Sequence, residues 1–272
     1  MLAVFGRTHA GRVREENQDR MLCADLATGS PALHASEGRP GSASVGPVRI
    51  ALSGPGALLL VADGMGGRAG GARASTLAAD VVLRAMAGAD GAGEGPEAFA
   101  ARLGAALEEA NREIHAEAEA DARLRGMGTT ATLAGIRADR VHVAQVGDSR
   151  AYLVRNGTAR RLTRDQSLVQ EMIDSGVLSE DEARSVARNR ILQALGPAPS
   201  VRPALGSHEL RPGDRLLVCS DGLPRVVSDD EIAKVVSGAP DERAACERLV
   251  ALANERGGPD NVTVLVAGVE AS

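Results

Sequence analysis

The chain has 272 residues, 44% hydrophobic and 25% charged, with a formal net charge of −5; this fits a folded protein with a deep core and leaves no basic footprint for nucleic acid. Two Phe, one Tyr and no Trp leave the core to Ala, Val, Leu and Ile, and remove the aromatic platforms on which single-stranded nucleic acid stacks. Three scattered cysteines (Cys23, Cys219, Cys246), no charged leader before an apolar run, and no stretch near the roughly 20 apolar residues of a membrane span predict a soluble, cytoplasmic protein with reduced thiols.

In chain order, β-branched and aliphatic runs predict strands at 2–5, 20–26, 58–63, 129–136, 140–146, 149–155, 215–220 and 261–268. Residues 28–56, rich in Gly, Ser, Pro and Ala, read as a long hairpin connection or a flexible surface insertion with a weak strand at Val48–Leu52. A helix follows from about Gly71 to Met86, then a Gly/Ala/Asp linker over Ala87–Gly95. A second helix spans about Pro96–Ala122, where Phe99, Leu103, Leu107, Ala110 and Ile114 share one face. Shorter helices are expected at 166–175, 179–188 and 240–255, and Ser228-Asp229-Asp230-Glu231 has the pattern of a helix N-cap. Strands and helices come in blocks, without regular alternation. That arrangement argues for antiparallel sheets covered by helices in an α+β fold.

Four aspartates stand where an apolar run meets a sharp turn. Asp63 ends Leu58-Leu59-Leu60-Val61-Ala62, and Asp221 ends Leu216-Leu217-Val218-Cys219-Ser220. Asp148 follows Val141–Gly147, and Asp260 stands just before Asn261-Val262-Thr263-Val264. A carboxylate at the end of a buried strand is costly unless a cation pairs with it. Several such acids without a His or Cys cluster read as an oxygen cage for hard divalent cations. In Asp63-Gly64-Met65-Gly66-Gly67 the glycines clear space, so a backbone carbonyl could join the carboxylate on a metal. Arg14, five residues before Asp19 in Arg14-Glu15-Glu16-Asn17-Gln18-Asp19, offers a bidentate fork suited to a phosphate.

Taken together, the segments VREENQDR (13–20), VADGMGGRAGG (61–71), GMGTTATLAGI (126–136), VGDSRAYLVRNG (146–157), LTRDQSLVQEMIDSGVLSEDEA (162–183), ALG (194–196), SDGL (220–223) and PDNVTVLV (259–266) resemble the type 2C (PPM) family of metal-dependent Ser/Thr protein phosphatases, in its bacterial branch. They run in the family's order over nearly the whole chain. The resemblance implies one catalytic domain over 1–272, folded as a four-layer αββα sandwich of two antiparallel β-sheets flanked by helices, with metals in a cleft at one edge. It implies that Asp63 bridges two divalent ions (Mn²⁺ or Mg²⁺), that Gly64 lends a carbonyl to one, and that Asp221 and Asp260 complete the other. Asp148 would hold a third, weaker ion together with Asp221. Arg14 would bind the phosphate, Asp19 would hydrogen-bond metal-coordinated water, and Asn261 would orient the acid beside it. Residues 165–190, with Gln166 and Ser167, would form a flap over the substrate. The implied chemistry is in-line attack of a metal-bridging hydroxide on phosphoserine and phosphothreonine in proteins. Phosphoproteins and a cognate Ser/Thr kinase are the implied partners, and a monomer is expected.

The chain departs from the family in places. Met65 stands where some members have a His proposed as general acid, and none of His9, His34, His115, His142 and His208 lies in a matching motif. Gln166 replaces a common flap His, and Ser185-Val186 a common His-Pro, while Arg188-Asn189 fits. Two other functions remain: a two-metal hydrolase of small phosphomonoesters, and a catalytically silent module. Cys219 and Arg225 also satisfy the Cys-x5-Arg spacing of cysteine-based phosphatases. An apolar strand disfavours a thiolate, and the intervening Asp221 repels phosphate, so that match reads as coincidence.

Overall fold

Period-two alternation along the central strands sorts the interior into separate layers. In β5 (Ala57–Met65), Leu58, Leu60 and Ala62 face one way and Leu59 and Val61 the other, and all five are fully buried. In β13 (Val262–Val269), Val264 and Val266 take one face and Leu265 and Ala267 the opposite one, again without exposure. A strand covered on both faces has no reason to alternate apolar with polar, which is why these segments read as unbroken apolar runs. The computed structural model describes residues 1–34, 42–52, 54–87, 94–179, 182 and 190–270.

One sheet runs β10 (Thr158–Arg161), β9 (Arg150–Arg155), β12 (Arg215–Cys219), β13, β1 (Leu2–His9) and β4 (Ser42–Ile50). The other runs β11 (Ala204–Glu209), β8 (Arg140–Val146), β7 (Ala131–Arg137), β5, β2 (Asp19–Asp25) and β3 (Ser30–His34), with the short β6 (Gly128–Thr129) paired to the end of β5. Neighbouring strands are antiparallel throughout both sheets. Leu59, Val61 and Met21 meet Leu265, Ala267 and Val218 between the sheets. Leu58, Leu60 and Ala62 pack under α1 (Gly67–Met86) and α2 (Pro96–Ala120). Val264, Val266 and Leu217 pack under α4 (Asp229–Gly238) and α5 (Glu242–Glu255). Three buried layers between four sets of elements make an αββα sandwich.

Helix starts follow local chemistry. Pro96 opens α2, Ser228 and Glu231 form a reciprocal capping box on α4, and the Asp241 carboxylate accepts the Ala244 N–H at the start of α5. A 3₁₀ turn at Ala122–Leu124 ends the α2 region. α1 begins at Gly67, a turn earlier than residue periodicity placed it. Close packing explains this: a Cβ on Gly64 would lie 2.2 Å from the Gly71 carbonyl oxygen, so strand end and helix start touch through bare backbone.

Residues 28–56 differ from their sequence reading. They hold two strands, β3 against β2 and a nine-residue β4 that pairs with β1 from Leu2–Ile50 to His9–Ser42. Both are edge strands, and β4 carries serines on its exposed side, so no apolar run marks it. β10 and β11, also at sheet edges, are likewise absent from the apolar-run reading. The short helix expected at 166–175 is α3 (Leu168–Asp174). Most of the helix expected at 179–188, with Ser185-Val186 and Arg188-Asn189, lies outside the described residues.

Candidate functional site

Sheet pairing brings the acidic turns to one end of the sandwich. Asp19 opens β2 directly opposite Asp63 on β5. Asp221 follows β12 and Asp260 precedes β13, and these strands are neighbours in the other sheet. Asp148 lies in the turn that leaves β8 in one sheet and enters β9 in the other. That turn is anchored to Asp63 through Thr130. The Thr130 hydroxyl lies 2.7 Å from the Ser149 hydroxyl and accepts the Asp63 N–H at 3.1 Å, while the Thr130 N–H donates to the Asp63 carbonyl at 2.9 Å. Gly147 at φ +105° makes the turn, with no space for a Cβ against Thr130.

These carboxylates sense one another. Burial raises Asp63 well above the ordinary carboxylate range, and Asp19, Asp221, Asp148 and Asp260 add to the shift. Burial pushes Asp148 up to about 8, reinforced by Asp221 and Asp165. Asp19 rises to about 7 through burial, although Thr263 and Ser220 oppose the shift by donating hydrogen bonds. Asp221 is raised by burial against the pull of Arg225, and the Asp63 carboxyl lies within hydrogen-bonding reach of it. Two carboxylates so close repel unless a proton or a cation sits between them. Asp19 Oδ1, Asp148 Oδ1 and Asp221 Oδ1 are buried with no hydrogen-bond donor. Orphaned buried acceptors are costly, and all are oxygens, the donor type that hard divalent cations take. The residues therefore fit such ions. Among the described residues no three acidic, His or Cys side chains already form a closed cage, and the Arg225 guanidinium pairs with two of the acids.

Arg14 reaches Asp260 bidentately, Nε to Oδ1 at 2.9 Å and Nη2 to Oδ2 at 3.0 Å, with its side chain 56% exposed. Asn261 acts on the backbone. Its Oδ1 accepts the Gln18 N–H at 2.9 Å, and its Nδ2 donates to the Ala10 and Glu16 carbonyls at 2.9 and 2.8 Å, which fixes the loop carrying Arg14. Gly64 sits with its backbone enclosed by Gly71 and Gln18. Residue patterns alone did not single out the groups that position Asp19. Ser220 and Thr263 hydroxyls both donate to its Oδ2 at 2.7 Å, Thr8 backs Thr263 at 2.7 Å, and Asn17 Nδ2 donates to Thr8 at 2.7 Å. Hydroxyls within apolar strands, such as Thr263 in Val262-Thr263-Val264, are the signal that would have pointed there.

Gln166 and Ser167 are engaged at the root of the expected flap. Gln166 Oε1 accepts the Gly147 N–H at 2.8 Å, and its own N–H donates to the Gly147 carbonyl at 3.0 Å. Ser167 caps α3. A cleft of about 630 Å³ runs from Asp148 and Asp221, past Arg225, to this root and the start of α4. Cys219 is fully buried, burial drives its thiol far above its ordinary pKa, and Arg225 is bound to Asp221 and Asp260. The Cys-x5-Arg spacing is thus a coincidence. His9 accepts the Gly11 N–H, His115 contacts the Gly196 carbonyl, His142 packs edge-on to Phe99, and His208 lies against Arg160.

A family model described as protein phosphatase 2C matches residues 34–254. Serine/threonine protein phosphatase PstP of Mycobacterium tuberculosis is 40% identical over 212 residues, a match covering 78% of this chain and 40% of that protein; the chain spans about two fifths of that relative. Serine/threonine phosphatase stp of Listeria monocytogenes is 35% identical over 213 residues, covering 77% of this chain and 83% of its own. The solved S. agalactiae serine/threonine phosphatase superposes with a TM-score of 0.84 at 32% identity, over 99% of this chain and 100% of that one. The catalytic domain of PstP in complex with two manganese ions gives a TM-score of 0.78 at 34% identity, over 100% of both chains.

Proposed function

The chain belongs to the protein phosphatase 2C family, and on that premise we propose that residues 1–272 form one catalytic domain that removes phosphate from phosphoserine and phosphothreonine in proteins. The observation that carries this reading is the convergence of Asp19, Asp63, Asp148, Asp221 and Asp260 at one sandwich edge, with three orphaned carboxylate oxygens buried among them. Asp63, Asp221 and Asp260, with the Gly64 carbonyl, would hold two divalent cations, Mn²⁺ or Mg²⁺, and Asp148 would help to hold a third. Such ions supply Lewis acidity and a water acidic enough to attack a phosphoester near neutral pH. Arg14, exposed and forked, would release the Asp260 carboxylate it grips to take the phosphoryl oxygens and orient the phosphorus for in-line displacement. Asp19, held by Ser220 and Thr263, would use its unpartnered Oδ1 to accept a hydrogen bond from water at the centre.

A Ser/Thr kinase must make the substrates of such an enzyme. Cytoplasmic residence accords with three free, buried cysteines, and no helix among the described residues is long and apolar enough to cross a membrane. Monomeric behaviour completes the reading. The test compares hydrolysis of a phosphothreonine peptide and of a nucleoside monophosphate with Mn²⁺ or chelator, for wild type and Asp63→Asn. Peptide hydrolysis that chelator abolishes, and that Asp63→Asn lowers by at least about a hundredfold, is the expected result. Preference for the nucleotide would favour a small-phosphomonoester hydrolase, and rates indifferent to chelator would end the metal reading.

A further inference from the structure

Arg225 bridges two of the acidic turns directly through their carboxylates. Its Nη2 lies 2.7 Å from Asp221 Oδ2 and its Nη1 3.1 Å from Asp260 Oδ2, and its charge also bears on Asp148 and Asp63. Its side chain is 25% exposed, against 56% for Arg14, so water screens its ion pairs less. To hold both acids it leaves its own Nε buried without a partner. A guanidinium tolerates that loss only where the attraction on its other nitrogens is strong. Asp221, whose backbone carbonyl also accepts the Arg225 N–H at 3.1 Å, carries its own tether one helical turn away.

We propose that Arg225 is a built-in counter-cation that competes with divalent ions for the carboxylates of Asp221 and Asp260, and so sets the affinity of the centre. The proposal rests on the metal reading above. An ion that takes these Oδ2 oxygens as ligands must share their lone pairs with the guanidinium and sit beside its fixed positive charge, so the arginine and the ion each weaken the other's hold. Coulomb repulsion between the arginine and the ions acts in the same direction. Arginine binding and ion binding thus draw on the same two carboxylates, with Asp221 Oδ1 still open to an ion. Linkage then fixes the consequence: whatever the arginine contributes to the ion-free protein is subtracted from ion affinity. Withdrawal has somewhere to go, because Arg225 lines the cleft that opens beside Asp148.

The experiment is a calorimetric Mn²⁺ titration, checked by the electron paramagnetic resonance signal of free Mn²⁺, on wild type, Arg225→Gln, Arg225→Lys and the remote control Arg248→Gln. Arg225→Gln should bind Mn²⁺ about tenfold more tightly, equal to about 1.4 kcal/mol. Arg225→Lys, which keeps the charge but cannot bridge both acids with a fork, should fall between Gln and wild type. Arg248→Gln should match wild type. Thermal melts close the cycle. In chelator Arg225→Gln should melt below wild type, and in saturating Mn²⁺ the two should melt together. Equal Mn²⁺ affinity for Arg225→Gln and wild type, or the same drop in Tm with and without Mn²⁺, would overturn the proposal and mark Arg225 as a structural residue. Absence of Mn²⁺ binding in every protein would overturn the metal reading along with it.

Discussion

A single position shows how environment decides what a residue can do. Cys219 and Arg225 are correctly spaced for a cysteine-based phosphatase, yet Cys219 packs among Leu217, Val262 and Val264, and burial holds its thiol protonated. Cys219→Ala should therefore keep full phosphatase activity and lower stability by about 1 kcal/mol, the cost of a small buried void. Loss of hydrolysis in a folded Cys219→Ala protein would restore the thiol as a nucleophile. The four strand-end acids were legible because each stands where an apolar run meets a sharp turn, a conflict that sequence alone exposes. Arg225 and the hydroxyls of Ser220 and Thr263 were not, since their significance lies in partners up to 244 residues away. Asn261 was legible as the neighbour that orients Asp260, whose Oδ1 accepts its backbone N–H at 3.0 Å, but not for its side chain, which staples the 10–18 loop by three backbone contacts.

Among elements, those with two buried faces announce themselves and those at edges do not. β5, β12 and β13 follow from composition, whereas β4, β10 and β11 carry alternating or polar residues and have one neighbour each. α3 and the segment before it stand at the root of the flap expected over 165–190. There Asp165 grips Arg150 on β9 at 2.6–3.2 Å, with both side chains about one tenth exposed, and Gln166 clamps Gly147. The flap root is thus part of the site's frame, and an excision beginning at 165 would remove more than a lid. Asp165→Ala leaves Arg150 buried with Tyr152 as its near partner, at 3.1 Å, and Asp229 farther off at 3.7 Å. We expect a loss of about 3 kcal/mol, read as a Tm lower by about 8 °C. Replacing the pair together, Arg150→Met with Asp165→Leu, should recover much of it. A single variant that melts within a degree of wild type would show that Tyr152 and Asp229 suffice to hold the arginine.

At the scale of the whole molecule, the acidic edge makes stability a function of both pH and cations. Asp19 near 7, Asp148 near 8, and the raised Asp63 and Asp221 all have folded-state values above the ordinary carboxylate value of 3.8. For such groups the folded chain binds protons more tightly than the unfolded one, so their contribution is fully present below about pH 4. It is lost as pH rises through about 7 to 8. His9, His142 and His208 are shifted down, chiefly by burial, and act oppositely: their contribution is intact above pH 6.5 and lost as pH falls below it. Between pH 6.5 and 8 the raised acids Asp19 and Asp148 give up their protons, and chelator-treated protein should lose stability across that interval. Mn²⁺ requires the ionised carboxylates and competes with the protons, so its stabilisation should grow over the same range. At a concentration a thousand times its Kd, the ion adds about 4 kcal/mol. Melting curves at pH 6.5, 7.2 and 8.0, each with chelator and with Mn²⁺, should show the gap between the two Tm values widening with pH. A gap that stays constant would mean that the acids at the sandwich edge neither hold those protons nor yield them to the metal.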